Sequence, residues 1–139
     1  MQPPLLYRMH FHGRTRAVAA GVVERFETEA IGGAELFSEA VFTDDCAFRE
    51  RGTIDFGDGD LVELRTLGTG YLAASSDPSL RHGTVVWDID GGSGRFSGAT
   101  GRISSNFTVT RDGDVDDEHV GRIFLPPNPT TKPRRGDPR

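Results

Sequence analysis

The sequence predicts an all-β fold, a single antiparallel barrel or sandwich of roughly seven or eight short strands. Three observations carry this. Apolar and polar residues alternate with period two along several segments, the mark of a strand with two unlike faces. Asp-Gly turn signals separate the segments at Gly57-Asp58-Gly59-Asp60 and Arg111-Asp112-Gly113-Asp114, and Asp-Gly accepts the positive φ of tight hairpins. Glycine is abundant, 18 of 139 residues, and only 35% of residues are apolar, which suits many tight turns better than a helical bundle.

The elements follow in order. After a short leader, Leu5 to His12 alternates, with Tyr7, Met9 and Phe11 on one face and Arg8, His10 and His12 on the other. Gly13 to Ala20 carries a weaker pattern. Val22 to Thr28 reads as a strand or a helical turn, and β neighbours favour the strand. Ile31-Gly32-Gly33 is a turn. Ala34 to Thr43 is a strand with Leu36 and Phe42 opposed to Phe37 and Val41, and Thr43-Asp44-Asp45 ends it. Cys46 to Phe56 alternates most clearly: Cys46, Phe48, Glu50, Gly52, Ile54 and Phe56 share a face. Leu61 to Leu72 is its hairpin partner, with Gly68 and Gly70 marking a bend or bulge. Ser75-Ser76-Asp77-Pro78 interrupts pairing. Arg81 to Asp90 puts Val85, Trp87 and Ile89 together. Arg102 to Thr110 and Val115 to Leu125 form the last hairpin.

Length allows one domain, assigned to residues 1–127. Residues 128–139 are Pro-rich and basic without large apolar side chains, so they are expected to be a disordered tail. The net charge of −5 argues against nucleic acid as a partner. Cys46 is the only cysteine, which excludes a disulfide scaffold or a Cys-rich metal site within the chain. There is no signal-like leader and no run of about 18 apolar residues. A cytoplasmic protein without a membrane partner is therefore expected.

The most informative stretch is Gly91-Gly92-Ser93-Gly94-Arg95-Phe96-Ser97-Gly98-Ala99-Thr100-Gly101. A phosphate-cradling loop would need a helix after it. The residues that follow are β-prone and alternate, so the stretch reads as a corner between strands, with Phe96 anchoring it on a core. The stretch and the hairpin after it resemble the glycine-rich signature of the allene oxide cyclase-like and dirigent-like barrels, over Val85 to Leu125. The resemblance implies a small antiparallel barrel, often with an apolar lumen. It also implies a setting among cyclases, stereochemistry-directing proteins and bacterial barrels that shape polyketide intermediates. It carries over no catalytic residues.

Candidate chemistry rests on parity. Glu50 is the one ionisable side chain on the Cys46, Phe48, Ile54 and Phe56 face. If that face rather than the other lines the lumen, burial would raise its pKa toward the range useful for proton transfer, whereas a register slip or a place at the wet barrel mouth would leave it solvated. His119 shares parity with Gly121, Ile123 and Leu125 and is a candidate second acid or base. Tyr71 and Tyr7 offer phenol donors, while Trp87, Phe48 and Phe56 would shape a ligand. Packing is the plainer role for each aromatic residue. Cys46 has no neighbouring base and is expected to pack inertly. His10-Phe11-His12 has metal-friendly spacing, but Arg8, Arg14 and Arg16 would repel a cation, so a solvated face and no metal are expected.

Three functions fit this pattern. The first is a cofactor-free cyclase or isomerase that holds a hydrophobic, polyketide-like molecule in a reactive shape. The second is a binding or stereochemistry-directing barrel with no rate effect. The third is a structural barrel whose lumen is filled by side chains. The expected partner is a hydrophobic small molecule, with self-association into a dimer or trimer left open.

Overall fold

The structure, a computed structural model, describes residues 3–19, 23–30 and 33–127. The expected tail, residues 128–139, lies outside them. Nine strands are formed: β1 (Leu5–Ala19), β2 (Val23–Ala30), β3 (Glu35–Phe42), β4 (Ala47–Asp55), β5 (Leu61–Thr66), β6 (Gly70–Ala74), β7 (Leu80–Ser93), β8 (Thr100–Thr110) and β9 (Asp114–Phe124). All pair antiparallel, and strands adjacent in sequence pair with each other except that β5 pairs with β7, β6 pairs back on β4, and β9 returns to β1. Strands β5 and β6 run in the same direction and pair with different parts of β4 and β7. They fill one position, broken at Leu67-Gly68-Thr69. The pairing of the first strand with the last, β1 with β9, closes the sheet into an eight-position up-and-down barrel. Closure leaves no long unpaired edge.

The turns form as their residues require. Asp58 and Gly59 have φ of 55° and 81°, and the Asp60 N–H donates to the Gly57 carbonyl at 3.0 Å. That is the mirror-image turn whose twist matches paired strands. At the glycine-rich corner, β7 runs on to Ser93, a single 3₁₀ turn covers Gly94–Phe96, and β8 starts at Thr100. Gly101 has φ of +134°, and a side chain there would put Cβ 2.1 Å from the Arg122 carbonyl oxygen. Phe96 is buried. The Arg95 guanidinium lies 4.5 Å from its ring centroid, and the Phe56 ring stacks 4.9 Å away. This group closes one end of the barrel.

Inward parity holds through every strand with an assigned pattern. Leu36, Ile54, Val62, Leu64, Val85, Ile103 and Val109 are all buried. Phe37 and Val41 are 44% and 46% exposed on the outside. Cys46 departs from the expectation of inert packing and is exposed. Its N–H and that of Ala47 both donate to the Asp44 carboxylate, at 2.8 and 2.7 Å. This turn satisfies the backbone ahead of the strand, so inward alternation starts at Ala47 and Phe48. Among the described residues, no helix is long and apolar enough to cross a membrane.

Candidate functional site

Seven side chains from six strands form a polar seam inside the apolar barrel. Glu50 on β4 is 6% exposed. The Ser38 hydroxyl on β3 donates to its Oε2 at 2.5 Å, and the Trp87 indole N–H on β7 donates to Oε1 at 3.2 Å. A second carboxylate, Asp117 on β9, is 4% exposed. It accepts from the Ser105 hydroxyl at 2.6 Å and contacts His119 Nε2 at 2.8 Å. The Tyr7 hydroxyl on β1 lies 3.1 Å from His119 Nδ1. One tautomer satisfies both contacts, with Nε2–H donating to Asp117 and Nδ1 accepting from the Tyr7 hydroxyl.

Aromatic contacts join the two halves. The Trp87 ring meets His119 edge-on, with centroids 4.9 Å apart. The Phe11 ring lies 4.6 Å from the other side of the imidazole. His119 is fully buried, so packing and hydrogen bonds fix it together. Burial in low dielectric pushes the Glu50 carboxyl up to about 7, and the negative charge of Asp117 adds to the rise. Hydrogen bonds from Ser38 and Trp87 oppose it. Glu50 therefore exchanges a proton near neutrality. Burial holds the Tyr7 phenol well above its ordinary range, so it serves as a hydrogen-bond donor rather than a base.

Glu50 and Asp117 line one internal cavity with Thr28, Trp87 and Ser105 among apolar neighbours. Its volume is about 10 Å³, room for about one water molecule. The buried Thr28 Oγ1, on its wall, has no hydrogen-bond partner among the described residues. Larger hollows of about 420 and 570 Å³ are open grooves walled by exposed side chains such as Arg51 and Glu63, and Arg102 and Val120. The interior is thus packed.

The sequence-derived candidates divide three ways. Glu50, His119, Trp87 and Tyr7 meet in the seam. Phe48 is buried, with ring contacts to Phe42 and Phe107, and Phe56 is half-buried against Tyr7 and Phe96. Tyr71 corrects the expectation: it is 54% exposed and lies away from the seam. The parity that buries Val62 and Leu64 runs on unchanged across the break, so Gly70 and Leu72 point inward and Tyr71, like Glu63 and Arg65, points outward. Asp117, Ser38 and Ser105 were missed. Their signal was parity: Asp117 lies between Val115 and His119, Ser105 between Ile103 and Phe107, and Ser38 between Leu36 and Ala40.

Comparison of the chain with protein-family models, curated proteins and solved structures found no match.

Proposed function

We propose that this barrel is a cofactor-independent proton-transfer catalyst, an isomerase or cyclase of a hydrophobic, carbonyl-bearing small molecule. The observation that carries the reading is the buried Glu50 carboxyl, which titrates near neutrality beside a second buried carboxylate. A pair of buried acids is costly to keep and is common where protons are moved. In this reading Glu50 is the acid or base. Trp87 orients its carboxylate and presents a flat wall. Tyr7, its hydroxyl turned from His119 to substrate, would donate to a developing oxyanion, with His119 positioning it. The resemblance of Gly91–Gly101 to the cyclase-like barrels supports the same assignment. Substrate entry requires the packed interior to open. Phe56, half-buried against Phe96 and edge-on to Tyr7, is the side chain whose displacement would uncover the seam.

A second reading is favoured by the cavity of about 10 Å³. In it the barrel is non-catalytic, and the buried seam fixes the pairing of six strands without turnover.

The test is a reaction that needs only a buried base and a small apolar substrate: ring opening of nitrobenzisoxazole. A carboxylate takes the ring C–H proton, the N–O bond breaks, and cyanophenolate is released. The expected result is a rate above that of free carboxylate in buffer, rising with pH through about 7 as Glu50 ionises. Glu50→Gln should lower it by ~10²–10⁴-fold. A rate no higher than buffer, or one retained in Glu50→Gln, rejects the proton-transfer role.

A further inference from the structure

The outer face of the β1–β9 seam carries a different group of side chains. His10 and His12 are two residues apart on β1 and project to the same side, with rings 4.5 Å apart. The register sets His12 opposite Asp116 and His10 opposite Glu118. His10 Nε2 contacts Asp116 Oδ1, and His12 Nδ1 lies 3.8 Å from the same oxygen. One ligand atom from each of His10, His12 and Asp116 lies within 4.8 Å of the others. Glu118 Oε1 stands 3.7 Å from His10 Nδ1, the ring nitrogen turned from Asp116.

We infer that His10, His12 and Asp116 form a binding site for a divalent transition-metal ion of the Zn²⁺ class. Two imidazoles and one carboxylate suit a borderline-soft ion and disfavour Mg²⁺ or Ca²⁺, which take oxygen ligands. Ligand atoms around a tetrahedral ion with bonds of about 2.0 Å lie about 3.3 Å apart, so small side-chain rotations close this set. Glu118 occupies the place of the outer carboxylate that orients a metal-bound histidine. Three protein ligands on an exposed face leave further positions for water, as in sites that do chemistry rather than closed structural ones. The ion would also tie β1 to β9, the pairing that closes the ring.

Arg14, one of the β1 arginines set against a cation in the sequence, is engaged elsewhere. Arg14 is held by Asp114 at 2.7 Å and by the Asp112 carbonyl at 2.7 Å, toward the β8–β9 hairpin. Strand β9 adds Asp116 and Glu118 to the same face. The competing account of the cluster is a plain imidazolium–carboxylate ion pair, in which Asp116 raises the His10 pKa. That pair would hold no metal.

Calorimetric titration of the metal-stripped full chain with Zn²⁺ near neutral pH separates the two. The expected result is one saturable ion per chain, absent with Mg²⁺, and a Co²⁺ form with visible ligand-field bands that Zn²⁺ abolishes. His12→Asn and Asp116→Asn, on different strands, should each remove the stoichiometric site. His82→Asn, at the other exposed histidine of the described residues, should keep it. Unchanged melting of the metal-free variants shows that they fold, and either variant suffices if the other perturbs the pairing. No saturable Zn²⁺ binding by the native chain overturns the proposal. So does undiminished affinity in a folded His12→Asn or Asp116→Asn variant.

Discussion

A carboxyl that is easier to protonate in the folded chain than in the unfolded one makes stability depend on pH, and Glu50 gives that dependence a definite sign. Its folded value is about 7 against an ordinary value of 4.5. Between these values the folded state binds the proton and the unfolded state has released it. The contribution of Glu50 is therefore most favourable below about 4.5, declines as pH rises through about 7, and is flat above. The decline is of the order of 3 kcal/mol. Glu50→Gln should lose this slope and gain on the native protein at alkaline pH. Urea unfolding of both at about pH 5 and about pH 8 checks it. Equal pH slopes would place the carboxyl in water. Most of the seam was legible residue by residue, because Tyr7, Glu50, Trp87 and His119 each interrupt or punctuate an apolar parity. Asp117 was not, since it stands in Asp114-Val115-Asp116-Asp117-Glu118, where charge on both parities hides the inward face.

At the level of elements, the hairpins were readable because Asp-Gly dictates local geometry without help from the rest of the fold. The Leu61–Leu72 region was readable as one interrupted strand for the same reason: Gly68 and Gly70 announce the break that separates β5 from β6. The second half of β1 was not, because Gly13, Thr15 and Ala17 have little apolar contrast with Arg14 and Arg16. Pairing with β2 and β9 supplies that order from outside the segment. The glycine-rich corner depends on a single anchor. Phe96 is 2% exposed and packs on Phe56, while the Ala99 N–H donates to its carbonyl at 2.9 Å. Phe96→Ala should cost ~3–5 kcal/mol in chemical unfolding, as other buried Phe truncations do. Arg95→Ala, which removes the exposed guanidinium with its ring contact and its 3.7 Å contact to the Asp60 carboxylate, should cost about 1 kcal/mol or less. Comparable losses in the two would mean that the corner is held by its charge contact to Asp60 and not by its ring.

For the whole molecule, alternation alone leaves sandwich and barrel equally open, since both have one buried face per strand. The choice lies in one long-range pairing, β1 with β9, which no local pattern encodes. Nor does parity reveal how much space closure encloses, because that depends on how the inward side chains interlock. Trp87 is the largest side chain at the centre of that packing, 1% exposed and in contact with both halves of the seam. Trp87→Ala should therefore destabilise the barrel by ~3–5 kcal/mol and leave an apolar hollow of roughly the volume of an indole ring. A dry cavity of that kind takes up a ligand of matching shape. Added indole should raise the melting temperature of Trp87→Ala in proportion to its free concentration over Kd, and should leave the native protein unchanged. Circular dichroism is the readout, as Trp87 is the only tryptophan. If native protein and variant are stabilised alike, the native interior already opens to admit a ring of that size. If the variant loses stability without any response to indole, the surrounding strands have collapsed onto the vacated space. A response confined to the variant shows a barrel that is filled by its own side chains until one is removed.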